Sequence, residues 1–78
     1  MTEFQVDLNR VEDVKNFVRC AGKYDVHILA HNQERTYTVD ACSIMAIFTL
    51  DLSKPVIVEI KDSEVAELFK NDIQSMLV

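Results

Sequence analysis

The sequence predicts an α+β open-faced β-sandwich, a four-stranded antiparallel sheet with three helices on one face, in the order β-α-β-β-α-β-α. Three observations carry this. Apolar residues alternate singly in four short stretches, the period of half-buried strands. Between and after those stretches the apolar spacing becomes helical. The chain has 78 residues, enough for one hydrophobic core and no second domain, so residues 1–78 form a single unit. Helices that share one sheet face bury their stripes there and leave the other face to water.

The first strand is marked by Phe4, Val6 and Leu8 alternating with Gln5 and Asp7. Asn9 stops it and is the expected N-cap of a helix. Val11, Val14, Phe17, Val18 and Ala21 then fall at helical spacing, opposite Glu12, Asp13, Lys15, Asn16 and Arg19. Glu12 and Asp13 suit the positive end of the helix dipole, and Gly22 is the expected stop. In the second strand Val26, Ile28 and Ala30 face one side, with His27, Leu29 and His31 on the other. A polar turn at Asn32 to Glu34 leads to a third strand through Tyr37 and Val39, closing a hairpin.

A short helix is expected within Asp40 to Leu52, with Ser43 near its start and Ile44, Met45, Ile47, Phe48 and Leu50 inside it. Pro55 ends that region. Val56, Val58 and Ile60, alternating with Ile57 and Glu59, form the fourth strand. Asp62 or Ser63 caps a last helix whose apolar stripe is Val65, Leu68, Phe69, Ile73, Met76 and Leu77. No repeat, linker or low-complexity tract interrupts this order.

Composition narrows the function classes. Net charge is −5, with 13 acidic against 8 basic side chains and no basic run. That balance argues against nucleic acid and against an anionic membrane surface as partners. Two cysteines, Cys20 and Cys42, are too few for a disulfide-stapled scaffold. With no signal segment and no apolar stretch of about 18 residues, the expectation is a cytoplasmic protein with ordinary thiols.

Catalytic chemistry finds no foothold. His27 and His31 are the only histidines; on one strand face they stand about 13 Å apart, too far for one metal ion. Glu64 with Glu67, or Asp51 with Glu59, pair only as members of a solvated acidic surface. There is no Cys-His or Ser-His-Asp set, and a single glycine, Gly22, rules out a glycine-rich phosphate loop. The expectation is no catalytic residue, no cofactor, no metal and no enzyme. The short helix is more informative. Ile44, Met45, Ile47, Phe48 and Leu50 cover more of its circumference than one buried face needs. Some must face solvent, and clustered exposed apolar residues mark protein interfaces. Ile44, Met45 and Phe48 are the candidate partner-binding residues.

The string Ser43-Ile44-Met45-Ala46-Ile47-Phe48-Thr49-Leu50, followed by Ser53-Lys54 and a strand, resembles the regulatory-serine helix of HPr, the phosphocarrier family of the bacterial sugar phosphotransferase system. Ala21-Gly22-Lys23-Tyr24-Asp25 is similar to that family's first-helix end, and the resemblance spans residues 3 to 77. It implies the same open-faced sandwich. The family's reaction places a histidine at the start of the first helix, closely followed by an arginine and a proline. Counting back from Lys23 puts Arg10 at the histidine position, Glu12 at the arginine and Asp13 at the proline. A guanidinium is no phosphoryl acceptor at neutral pH, and two carboxylates repel a phosphate. The resemblance thus implies the fold while withholding the reaction.

Histidine-less members of the family keep the serine and act in catabolite control by binding a transcription regulator, which makes Ser43 the regulatory phosphorylation candidate. The partners implied are a phosphotransferase-system enzyme, a serine kinase or a transcription regulator. The chain departs from the family in lacking its usual glycines and in a longer hairpin turn. Two alternatives stand beside this reading: a phosphocarrier component of sugar uptake, and a purely structural partner domain.

Overall fold

In the computed structural model, which describes residues 1–78, strands and helices alternate in the expected order. β1 spans Thr2–Val6, α1 Val11–Ala21, β2 Ile28–His31, β3 Thr38–Asp40, α2 Ile44–Ile47, β4 Val56–Ile60 and α3 Ser63–Asp72. A 3-10 turn at Gln74–Met76 follows. The sheet order is β1-β4-β2-β3, and each neighbouring pair is antiparallel.

Strand register explains where the core sits. Phe4, Val58, Ala30 and Val39 stand side by side across all four strands, on the inner face. Val6, Ile28, Val56, Val58 and Ile60 line that face fully buried. Val14, Phe17 and Ala21 of α1, Ile47 of α2, and Ala66 and Phe69 of α3 bury into the same cluster, so all three helices share one side. Phe69 is the hub. Its ring lies 5.4 Å from that of Phe17, edge to face, with Tyr24 at 6.2 Å and Phe4 at 6.4 Å.

Element ends differ from the sequence expectation for identifiable reasons. Leu8 is fully buried but lies past β1: β4 begins opposite Val6, just after Pro55, so Leu8 has no ladder partner. Asn9 is not the cap of α1. Arg10 is, in extended conformation and without a side-chain cap bond. Val26 and His27 precede β2, because Ile28 pairs with Ile60 at the last rung of β4. Tyr37 lies outside β3 and is exposed, since its N–H is taken by the Asn32 side chain at 2.9 Å. α2 is one turn long: after Phe48 the bonds tighten to Thr49 N–H on the Ala46 carbonyl and Leu50 N–H on that of Ile47.

The last helix is also shorter than its apolar pattern. α3 ends at Asp72, and Ile73 leaves the helical region. Met76 and Leu77 instead carry the chain back to β1, where Leu77 bridges Val6, Asp7 N–H donates to the Met76 carbonyl and Val78 N–H to that of Gln5. Leu68 was expected on the buried stripe but is exposed; the stripe runs through Ala66, Phe69 and Ile73, and Leu68 sits one residue off it.

The largest departure concerns the outer face of the sheet. Leu29 and His31 do face that way, in rows Glu3–Glu59–Leu29–Asp40 and Gln5–Ile57–His31–Thr38. The face is not bare, however. Ile57 is only 6% exposed, and the side chains of Gln33 and Arg35 reach from the β2–β3 connection across this face to β1.

Candidate partner-binding surface

Ser43 starts α2 in extended conformation, and its Oγ accepts the Ala46 N–H at 3.3 Å. This satisfies one of the free donors of the first turn. Asp40 prepares the entry by accepting the Cys42 N–H at 2.9 Å. Within the single turn that follows, the side chains part company. Ile47 is completely buried and Ile44 packs partly against the core, while Met45 is 79% and Phe48 48% exposed. Of the three candidate partner-binding residues, two therefore stand in solvent and Ile44 lies at the margin.

α1 packs against α2, and its first turn holds the residues expected there. Arg10 is the cap residue, with its guanidinium 3.9 Å from Glu12, and both are well exposed. Glu12 and Asp13 occupy the first turn. No histidine is near: His27 precedes β2, and His31 is in β2 on the opposite face of the sheet.

His31 is engaged rather than free. One ring nitrogen, Nε2, lies 2.9 Å from Glu59 Oε1, and Nδ1 lies 2.8 Å from Thr38 Oγ1. Both His31 and Glu59 are largely buried. His27 is exposed. The two histidines thus do not act together, and no group of three or more His, Cys, Asp or Glu side chains is arranged to hold a metal ion.

Cys20 and Cys42 are both reduced and separate. Burial, then the Asp40 charge, pushes the Cys42 thiol up, away from reactive thiolate. Asp51, at the exit of α2, is held below the usual carboxylate range by the Ser53 hydroxyl and then the Ser53 N–H. The Glu64 and Glu67 pair lies on the exposed face of α3, and Glu67 meets Lys70 at 3.9 Å.

Three side-chain clusters had no signal in the sequence. Tyr24 donates to Asp72 while Lys23 Nζ lies 3.2 Å from the same carboxylate, tying the end of α1 to the end of α3. The hydrogen bond to Asp72 pushes Tyr24 up to about 12, and the same bond, reinforced by Lys23, holds Asp72 low. The others are His31 with Glu59 and Thr38, and Arg35 with Glu3. All three join residues distant in sequence, which local periodicity does not encode.

No helix is long and apolar enough to cross a membrane. No protein-family profile matches the chain, and no curated protein does. Solved structures do. HPr-C-His from Thermoanaerobacter tengcongensis superposes with a TM-score of 0.75 at 22% identity, over 96% of this chain and 93% of that one. The phosphocarrier protein HPr from Bacillus anthracis str. Ames superposes with a TM-score of 0.62 at 23% identity, over 91% of this chain and 92% of that one. The α+β sandwich described above is therefore the HPr fold.

Proposed function

We propose that this chain is an HPr-like binding or regulatory module that carries no phosphate on histidine and meets a protein partner through α2. The observation that carries the reading is the split within one turn. Ile47 anchors the turn in the core, and Met45 and Phe48 are held out to solvent by it. Exposed large apolar side chains presented from one anchored turn suit a protein interface. At the start of α1, Arg10, Glu12 and Asp13 stand where the resemblance implies a phosphohistidine site. This supports a module without phosphoryl transfer and without enzymatic activity. The partner classes follow by analogy only: a phosphotransferase-system enzyme, a serine kinase or a transcription regulator.

A phosphocarrier component is the second reading, and the match to a phosphocarrier HPr favours it. Incubation with phosphorylated enzyme I and labelled phosphoenolpyruvate separates the two. The expected result is no label; acid-labile label on His27 or His31 establishes the phosphocarrier instead. Arg10→His alone is expected not to restore transfer, because Glu12 and Asp13 still oppose the phosphate. Ser43 is the proposed point of regulation, since a phosphate there adds about −1.5 to −2 charges beside Ile44 and Met45. Treatment with the family's serine kinase and ATP, with Ser43→Ala as control, tests it. An unmodified Ser43, together with unchanged partner binding by Ser43→Asp, leaves that serine as a helix cap alone.

A further inference from the structure

The connection from β2 to β3 is not a minimal hairpin turn. Asn32 knots residues 32–37 together: its side chain accepts the Tyr37 N–H at 2.9 Å and donates to Thr36 Oγ1 at 2.8 Å and Glu34 Oε1 at 3.1 Å. Arg35 sits in the left-handed region, with φ of 56°, a conformation that non-glycine residues adopt at a cost. From the β2–β3 end of the sheet, Arg35 reaches Glu3 on β1 with two hydrogen bonds, of 3.1 and 2.6 Å. In the strand order β1-β4-β2-β3 that span crosses the outer face of β4. Gln33 follows the same course, donating to the Pro55 carbonyl at 2.6 Å and lying 3.5 Å from Gln5 Oε1. Lys54 adds a 3.4 Å ion pair to Glu34.

Beneath this strap lie Ile57, 6% exposed, and the His31–Glu59 pair. Outer-face side chains of a sheet with helices on one side ordinarily meet water, so their burial is the strap's doing. We propose that residues 32–37 form a latch over the outer sheet face, closed by the Arg35–Glu3 fork and able to open without unfolding the domain. Closure is held by the fork, the Gln33 bonds and the covering of Ile57. Opening is favoured by release of Arg35 from its left-handed conformation. The fork is partly exposed, with Arg35 at 50% and Glu3 at 32%, so salt weakens it. In the open state Ile57 and Leu29, diagonal neighbours on β4 and β2, become one apolar strip.

Two variants separate the parts. Glu3→Gln removes the charge that the fork needs. Arg35→Ala removes the guanidinium while keeping a side chain for which the positive φ is unfavourable, so both effects favour opening. The measurements are attenuation of the Ile57 methyl signals by a neutral paramagnetic cosolute, and amide exchange at Arg35 and Tyr37, each at low and high salt. Salt in the wild type, and either variant at low salt, is expected to raise both by about two- to five-fold, the scale of one exposed ion pair. Val58 and Phe69 in the core are expected to stay unchanged. Ile57 as well shielded in both variants as in the wild type overturns the latch. So does equal acceleration of core amides, which would mean that the strap opens only with the whole domain.

Discussion

Met45 and Ile47 are two residues apart on one helical turn, yet one is 79% exposed and the other fully buried. Alanine at each should therefore read out different quantities. Ile47→Ala is expected to cost about 2–5 kcal/mol of stability by opening a core cavity. Met45→Ala or Phe48→Ala is expected to weaken partner binding by about 1–3 kcal/mol with little change in melting temperature. Thermal melts beside binding isotherms decide it; a large drop in melting temperature for Phe48→Ala would place that ring in the core instead. Single side chains also set the pH response. Arg35 bonds hold Glu3 below its usual range, Ser53 does so for Asp51 and Tyr24 for Asp72. Depressed carboxylates stabilise the fold fully above their unfolded pKa, and that contribution is lost as pH falls through the folded values. Tyr24 is the opposite case: raised to about 12, it favours the fold below its ordinary pKa and loses that effect as pH climbs toward the raised one. Acid titrations of Asp72→Asn and alkaline titrations of Tyr24→Phe should each show a flatter stability profile than the wild type.

At the scale of elements, the cap of α3 was more legible than its length, while that of α1 was not Asn9 but Arg10. Asp62 was one of two expected caps of α3, and it accepts from Glu64 N–H at 3.0 Å and Val65 N–H at 3.1 Å. Asp62→Ala is expected to cost about 1 kcal/mol in chemical denaturation, and Ser43→Ala, whose bond is longer, no more than that. Gly22 ends α1 where expected but for a different reason. Its φ is −70°, which any residue can adopt, and an added Cβ would meet the carbonyls of Arg19 and Val18 at 3.5 and 3.6 Å. Gly22→Ala is accordingly expected to raise stability by about 0.4–1 kcal/mol, mainly by restricting the unfolded chain. A melting point that falls would point to strain not evident at that position. Strand and helix order was readable because period 2 and period 3.6 are local properties. The ends of β1 and β2 were not, because each is set by whether a partner strand is present opposite it, as Pro55 shows for β1 and Ile60 for β2; nor was the end of α3, where the chain turns at Ile73 to bring Met76 and Leu77 back to β1.

For the whole molecule, the sheet and its helix-covered face followed from pattern alone, and so did the exposure of part of α2. The covered outer face did not. Its closing contact joins Arg35 to Glu3, 32 residues apart, and no spacing rule relates them. Strand order carries a consequence for how the chain comes to be folded. β4, the last strand in sequence, lies between β1 and β2 and is the only neighbour β1 has in the sheet. A growing chain that has not yet reached Val56 can close the β2–β3 hairpin and little else. β1 must wait, unpaired, for a segment more than half the chain away, as Thr2 opposite Ile60 shows. Assembly of the sheet is thus delayed until β4 has been synthesised and then proceeds at once, which makes partially built sheets poor resting states. Denaturation followed by far-ultraviolet circular dichroism and by tyrosine fluorescence should give one shared transition. A fragment ending before Val56 should show no stable sheet at all.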